Sequence, residues 1–346
     1  MVLPAIPNVQ GNPVSTQNDQ LEAARLRIFS IQDGAMRAQA LAFCLRSGLF
    51  ERLAERPATP EELGLAPRVA PTLLAFLSSQ GLVERDEQRR FRNTPASETF
   101  LVRSSPRFAG GRSLLFQGRH KQICRLGDVL ATGQPLDEAG LAGMFENFNT
   151  EDQRWFAEGM LANAISGARQ LLRDLDFSPF RQLLDVGGNN GGYALPLLEA
   201  NPALNATIFD LEALRPLAEA RIAQRGLQER CRFIAGSFFD DPLPKGNDLL
   251  LLANIVHNWG TPECGRILAA CHAAIEPGGT IVIVEPMLSE DLSGPAHASV
   301  SGLTMALLGG ENRTQSQIGA LLQRAGFREL WQSPIGEQNS VVTARK

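Results

Sequence analysis

The sequence predicts an α/β protein in two parts. A helical domain with a winged-helix outline covers residues 1–103, and a helical connector leading into a doubly wound, mostly parallel sheet covers 104–346. Three observations predict this. From about residue 180, short apolar runs alternate with segments of helical periodicity, the pattern of a parallel sheet covered by helices on both faces. The first of those runs feeds a glycine-rich turn, in LLDVGGNNGGYALPLLE at 183–199. Ahead of it, residues 20–103 read as short helices closed by a small hairpin.

The N-terminal stretch MVLPAIPNVQGNPVSTQND has neither the basic start nor the long apolar centre of a signal peptide, and reads as a loose arm. From Ala38 to Leu53, the residues Leu41, Leu45, Leu49, Phe50 and Leu53 recur at helical spacing. In ATPEEL, Thr59 is the N-cap of a helix, Pro60 its first residue, and Glu61 and Glu62 fill the first turn. A third helix runs from Val69 to Gln80 and stops at Gly81. Leu82–Arg85 and Arg90–Arg92 can then pair as a hairpin. Residues 104–178 stay helical and carry Phe116, Phe145, Phe148, Trp155 and Phe156, most of them core positions. Phe145, Phe148 and Trp155, with Met160 and Met305, are the candidates to line a pocket for a flat substrate.

Beyond residue 180, RQLLDV, ATIFDL, RCRFIAG, DLLLLAN and TIVIVEP are strands. Tyr193–Ala200, LRPLAEARIAQRGL, PECGRILAACHAAI and Thr314–Ala325 are helices. Pro277, Gly278 and Gly279 form a turn before TIVIVEP, and two more strands lie near Glu329–Ser333 and Ser340–Ala344.

Composition narrows the function. There are 33 Lys and Arg against 37 Asp and Glu, a formal net charge of −4, which excludes a general polyanion binder. A winged helix raises the question of DNA. The recognition-helix equivalent, VAPTLLAFLSSQ, has no Lys or Arg, whereas phosphates and base edges call for such side chains. Arg85, Arg89, Arg90 and Arg92 of the wing read as a solvated turn, and no nucleic-acid partner is expected. No apolar run is long enough to span a bilayer, so no membrane partner is expected either. Five scattered cysteines without a C-x-x-C pair argue against a disulfide framework or a structural zinc, and for the cytoplasm. No His, Cys and carboxylate cluster points to a metal.

In a doubly wound sheet, ligands sit at the carboxyl ends of the strands. After the first strand, DVGGNNG lets backbone approach a ligand and leaves a helix N-terminus facing it. After the second strand stands Asp210, about twenty residues further on, where an acid meets ribose hydroxyls. This pair points to a nucleoside cofactor without separating NAD from S-adenosylmethionine. The loop separates them. The middle glycine of G-x-G-x-x-G is Asn189, which crowds a pyrophosphate, although Asn tolerates left-handed backbone better than other side chains. Asp185 at the strand end suits a ligand carrying an ammonium group rather than a phosphate. His257 follows DLLLLAN on the crevice side, and an imidazole titrating near neutrality can accept a phenolic proton.

Several motifs carry a resemblance: LLDVGGNNGG, FDL around Asp210, AGSFFDDPLP at 235–244, LLANIVHNW at 251–259, IEPGGTIVIVEP at 275–286 and GGENRT at 309–314. Together, and in this order, they make the chain similar to the S-adenosylmethionine-dependent small-molecule O-methyltransferases that carry an N-terminal winged-helix dimerisation domain. The resemblance implies a Rossmann-like class I methyltransferase fold, S-adenosyl-L-methionine as cofactor, a homodimer formed through the N-terminal domain, and a small aromatic or polyketide-like acceptor. Gly187 and Gly191 then shape the loop around the methionine part, and Asp210 holds the ribose. Ser237 and Phe238 fall at adenine, and Gly188, Leu211 and Asn254 complete the cofactor set. His257 falls on the general base. Glu285, with a second residue from Glu311 or Asn312, falls where the family orients that histidine. Asn258 and Trp259 join the acceptor side.

The chain departs from the family at four places. Asn189 replaces a glycine. Ser237 replaces an aspartate that accepts a hydrogen bond from adenine, so a weaker grip is expected without the charge. Asn258 replaces an aspartate. In GGENRT the usual glutamate position is Asn312, with Glu311 just before it, and an amide stabilises imidazolium less than a carboxylate. A weakened base leaves a carbon or nitrogen acceptor as the alternative, or a member that uses the pocket without methylating.

Overall fold

In the computed structural model, which describes residues 13–118, 120–136, 150–334 and 339–346, the first apolar stretch folds as two helices rather than one. Gly48, at φ +67°, ends α2 (Gly34–Arg46) and starts α3 (Leu49–Glu55). The left-handed residue turns the chain so that Leu45, Leu49, Phe50 and Leu53 all bury. The arm is also corrected: α1 begins at Pro13 and runs to Gln32, and residues 1–12 lie outside the described residues. ATPEEL makes the expected reciprocal cap, with Thr59 N–H on Glu62 Oε2 at 2.8 Å and Glu62 N–H on Thr59 Oγ1 at 3.4 Å. The chain there makes only turns, with Gly64 at φ +65°, and no helix follows. The third helix, α4 (Ala70–Ser79), forms as predicted. So does the hairpin, β1 (Val83–Arg85) antiparallel to β2 (Phe91–Asn93), followed by α5 (Pro95–Phe100). The wing arginines are engaged locally: Arg90 on the Pro57 carbonyl and Glu62, Arg92 on Glu84, and Arg85 over the Phe91 ring.

The chain divides into compact units at Glu98 and Thr99, within α5, where the sequence reading drew the boundary at 103 and 104. The second unit begins with α6 (Gly111–Gly118), α7 (His120–Ile123), α8 (Leu126–Thr132) and the long α9 (Thr150–Asp174). Of the candidate substrate aromatics, Phe145 and Phe148 lie outside the described residues, and so do the side chains of Phe116, Trp155 and Phe156.

The sheet follows. Its strands are β3 (Gln182–Val186), β4 (Asn205–Asp210), β5 (Cys231–Ala235), β6 (Asn247–Ala253), β7 (Ile275–Glu285), β8 (Arg328–Gln332) and β9 (Ser340–Arg345), in the order β5-β4-β3-β6-β7-β9-β8. Pairs among β3 to β7 are parallel, and β9 is antiparallel to both β7 and β8. The helices between them are α10 (Ala194–Ala200), α11 (Arg215–Gln224), α12 (Thr261–Ala274), α13 (Ala296–Ala306) and α14 (Gln315–Arg324). Pro277 to Gly279 are a departure from the sequence reading. They lie inside β7 as an irregularity in which Asn247 pairs with Ile275 and Leu249 already pairs with Thr280.

The run LLLL in β6 is apolar throughout because both sheet faces are covered. Leu250 and Leu252 pack with Ile267, Leu268 and Leu322 of α12 and α14. Leu249 and Leu251 pack with Leu171, Leu195 and Ile222 of α9, α10 and α11. Four cysteines are buried in these layers or in the N-terminal unit, and Cys124 is exposed. Among the described residues, no helix is long and apolar enough to cross a membrane.

Candidate active site

The strand order reverses between β3 and β6, and a cavity of about 430 Å³ opens at their carboxyl ends. Its wall includes Asp185, Gly187, Gly188, Asn189, Asp210, Leu211, Ser237, Phe238, Asn254, Asn258, Trp259 and Met160 from the predicted set. His257, Met305 and the GGENRT residues are not on that wall.

The turn after β3 is built for close approach. Asn189 sits at φ +51°, in the left-handed region that Asn tolerates best among residues with side chains. Its N–H donates to Asp210 Oδ2 at 2.7 Å, while Asp210 Oδ1 accepts from Leu211 N–H at 2.7 Å. Asp210 therefore ties the glycine turn to the end of β4. A Cβ at Gly188 would lie 2.6 Å from the Asp185 carboxyl carbon, so any side chain there would close the space beside that carboxylate.

Asp185 is buried, and its Oδ2 has no hydrogen-bond partner among the described residues. Burial, the Asp210 charge and, in the opposite sense, the Ala194 N–H together set its pKa at about 7. Burial raises Asp210 to about 6 against the two backbone N–H groups that hold it. A buried carboxylate, with one oxygen unpaired among the described residues, beside a half-buried one fits a ligand that is cationic at this end and carries hydroxyls nearby. They do not fit a pyrophosphate.

At the other end, Phe238, Phe239 and Trp259 meet edge to face, with ring centroids 4.8, 5.9 and 4.7 Å apart pairwise. The Trp259 indole N–H is buried without a partner among the described residues. Ser237 Oγ donates to Asp240 Oδ2 at 2.8 Å.

His257 lies in a short 3-10 turn, Val256–Asn258, directly after β6. Glu285 ends the neighbouring β7 and is 2% exposed. One of its oxygens accepts the N–H groups of Ile255 at 2.9 Å and Val256 at 2.6 Å. The other meets His257 Nδ1. A buried carboxylate against Nδ1 makes Nδ1 the protonated nitrogen of the neutral ring, which leaves Nε2 as the proton acceptor.

The expectation for Glu311 and Asn312 is corrected. Among the described residues, neither side chain bonds to the His257 ring. The Asn312 amide donates to the carbonyls of Pro286 and Ala298 at 2.8 and 2.9 Å, a place for a donor rather than a carboxylate. Glu311 pairs with Arg313 at 2.7 Å and reaches His257 only through its backbone N–H, on the His257 carbonyl at 2.9 Å.

Two residues that sequence reasoning missed also hold this loop. Arg313 is buried and donates to the carbonyls of Val256 at 3.2 Å and Trp259 at 3.1 Å, gripping the His257 turn from both sides. Tyr193, the chain's one tyrosine, is buried on the cavity wall. It accepts from Asn339 Nδ2 at 3.3 Å and also bonds the side chain of Asn254, whose carbonyl takes the Asn258 amide at 3.0 Å. Its only sequence signal was an aromatic directly after the glycine run.

Among the described residues, no group of three His, Cys, Asp or Glu is placed to hold a metal ion. His272 packs edge to face on Phe327, and His120 is exposed.

The O-methyltransferase domain family matches residues 126–328, and the O-methyltransferase dimerisation domain family matches 29–103. The chain is 34% identical over 306 residues to 3-hydroxy-5-methyl-1-naphthoate 3-O-methyltransferase of Streptomyces sahachiroi, covering 86% of this chain and 88% of the relative. It is 31% identical to N,N-dimethyltransferase OxyT of Streptomyces rimosus, over 84% of this chain and 87% of that one. Among solved structures, human N-acetylserotonin methyltransferase in complex with SAM superposes with a TM-score of 0.84 at 26% identity, covering 94% of this chain and 97% of that one. The chain belongs to the S-adenosylmethionine-dependent O-methyltransferase family, with that family's dimerisation domain ahead of its cofactor-binding sheet.

Proposed function

We propose that the chain methylates a hydroxyl of a small aromatic or polyketide-like metabolite, with His257 as general base. One observation carries this reading: a buried carboxylate, Glu285, fixes the His257 turn through two backbone N–H groups and holds the ring through Nδ1. S-adenosylmethionine, when bound, supplies an electrophilic sulfonium methyl. The protein's task is then to hold the acceptor in line and take its proton. His257 Nε2 takes the proton, and Glu285 stabilises the imidazolium that results. That answers the weakness expected from Asn312, since the carboxylate the base needs comes from β7. The naphthoate O-methyltransferase relative supports a fused-ring phenol as the acceptor class. The N,N-dimethyltransferase relative keeps a nitrogen acceptor as the second reading.

We assign the methionine end to Asp185, Gly187, Gly188, Asn189 and Gly191, the ribose to Asp210 and Leu211, and adenine to Phe238, the Ser237 turn and Trp259, which moves here from the acceptor side because its ring packs on Phe238 and Phe239. Asn254 joins this set through its place on the cavity wall. Calorimetric titration should show heat with S-adenosylmethionine and none with NAD; heat with NAD alone would sink the assignment. Mass spectrometry of a phenol panel should then show gain of one CH2 unit at oxygen, and a product methylated only at nitrogen would favour the second reading.

Asp185 links cofactor binding to stability. Its raised pKa means the folded, cofactor-free protein holds a proton that the unfolded chain releases near pH 4. The resulting relative stability is complete below about pH 4 and is lost as pH rises through about 7. Asp185→Asn should remove part of that loss. Its melting temperature at pH 8 should exceed wild type by about 2–4 °C for each kcal/mol relieved. The same variant should bind S-adenosylmethionine at least about tenfold more weakly, by loss of a buried charge-assisted contact. Unchanged binding would remove Asp185 from the ammonium site.

The N-terminal unit supports a homodimer: it matches the family's dimerisation domain and exposes Leu26, Ile28, Phe29, Ile31 and Met36 along α1 and α2. We place the protein in the cytoplasm, in keeping with its five free thiols.

A further inference from the structure

We propose that Asp240, anchored by Ser237, is the charged acceptor that selects the 6-amino group of the cofactor's adenine. The inference rests on the cofactor assignment above and goes beyond it by naming a residue the family pattern does not. At the position where the family commonly carries an aspartate, this chain has Ser237, and the lost charge is returned by a neighbour three residues on.

The hydrogen-bond inventory of Ser237 decides the point. A hydroxyl has one donor and two acceptor sites. The Ser237 proton goes to Asp240 Oδ2 at 2.8 Å, and one acceptor site takes the Phe239 N–H at 3.2 Å. What is left is a single neutral lone pair, a poor seat for an exocyclic amine. Asp240 lies on the cavity wall beside Ser237 and Phe238. An ionised carboxylate offers about four acceptor sites, and Ser237 uses one of them. The adjacent Asp241 is committed elsewhere: its Oδ2 accepts the Ser237 N–H at 2.8 Å, and it is not on the wall. The two acids therefore divide the work, Asp241 closing the turn and Asp240 facing the ligand. The aromatic corner of Phe238, Phe239 and Trp259 supplies the flat apolar surface beside them.

A carboxylate acceptor discriminates by charge as well as by hydrogen bonding. It attracts the N–H edge of a 6-amino purine and repels the oxygen of a 6-oxo purine. Asp240 is exposed at the rim, so solvent limits the effect.

The test is calorimetric titration of the whole chain with S-adenosylhomocysteine and with S-inosylhomocysteine, which differ in the 6-substituent and in the proton the oxo form carries on the adjacent N1. Wild type should prefer the adenosyl compound by about tenfold or more. Asp240→Asn keeps the shape and can still accept from Ser237, but turns an amide N–H₂ toward the ligand. Its preference should fall to about threefold or less, chiefly through tighter binding of the inosyl compound. A merely structural role would weaken both ligands together and leave the ratio unchanged. An unchanged ratio in Asp240→Asn, or a wild type indifferent to the two ligands, overturns the assignment of Asp240 alone. If wild type binds neither, the cofactor assignment falls first and takes this inference with it.

Discussion

Replacing His257 with alanine is expected to lower kcat by about 10²–10⁴-fold, the usual range for removing a positioned general base. The cofactor dissociation constant should stay within about threefold of wild type, because His257 is not on the wall of the cofactor cavity. The residual rate is what alignment of acceptor and methyl provides without proton removal. The measurement is kcat by product formation alongside cofactor affinity by calorimetry. A variant as fast as wild type would mean that methyl transfer here needs no base, as an already ionised hydroxyl or an amine acceptor would allow.

Glu285→Gln should cost nearly as much, for a different reason. The glutamine carbonyl can still accept the Ile255 and Val256 N–H groups, so the turn keeps its supports. Its amide, however, becomes a donor toward His257 Nδ1, where the carboxylate was an acceptor. The ring is then driven to the tautomer with its proton on Nε2, the nitrogen that must be free. In other enzymes a carboxylate-to-amide change behind a catalytic histidine costs about 10⁴-fold by this route. We expect a kcat loss of about 10²–10⁴-fold with a melting temperature close to wild type. Glu285→Ala should lose stability as well, since it strands two buried N–H groups at about 1–3 kcal/mol each. A Glu285→Gln enzyme within about threefold of wild-type kcat would show that tautomer control does not govern the reaction.

The difference between Glu285 and the GGENRT acids shows where linear reading stops. Along the chain, Glu285 was expected to orient His257 together with a second residue, Glu311 or Asn312. In the fold, β7 lies next to β6 and ends where the His257 turn begins, so Glu285 meets both the backbone and the ring. Asn312 faces two carbonyls, and Glu311 faces Arg313. Arg313 stood in the GGENRT motif without a role, because its partners are backbone carbonyls more than fifty residues away in sequence, at Val256 and Trp259. Asp240 went unnoticed for a related reason: the departure at Ser237 was visible, but its remedy is a side-chain bond that spacing alone does not reveal.

Local features fared better where the chemistry is local. The helix entry at Thr314 is a capping box with Gln317, closed within four residues of chain. Asn189 could be expected in left-handed backbone from its side chain alone, and it is there. ATPEEL shows the limit even of local rules. Its reciprocal cap forms, yet no helix follows, because Gly64 takes left-handed backbone at φ +65° and ends the turn one residue after the buried Leu63.

The sequence by itself determined the strand and helix alternation, the glycine turn, Asp210 and His257, and through their order the family and its cofactor. These follow from periodicity and from spacings of a few residues to about twenty, which the backbone enforces wherever the chain goes. Only the tertiary structure decided that the Glu311 and Asn312 side chains turn away from the histidine that Glu285 holds, which Asp185 oxygen lacks a partner among the described residues, and which acid stands beside Ser237. Those outcomes depend on which side chains the sheet brings within hydrogen-bond distance, and a few ångströms of strand register decide them.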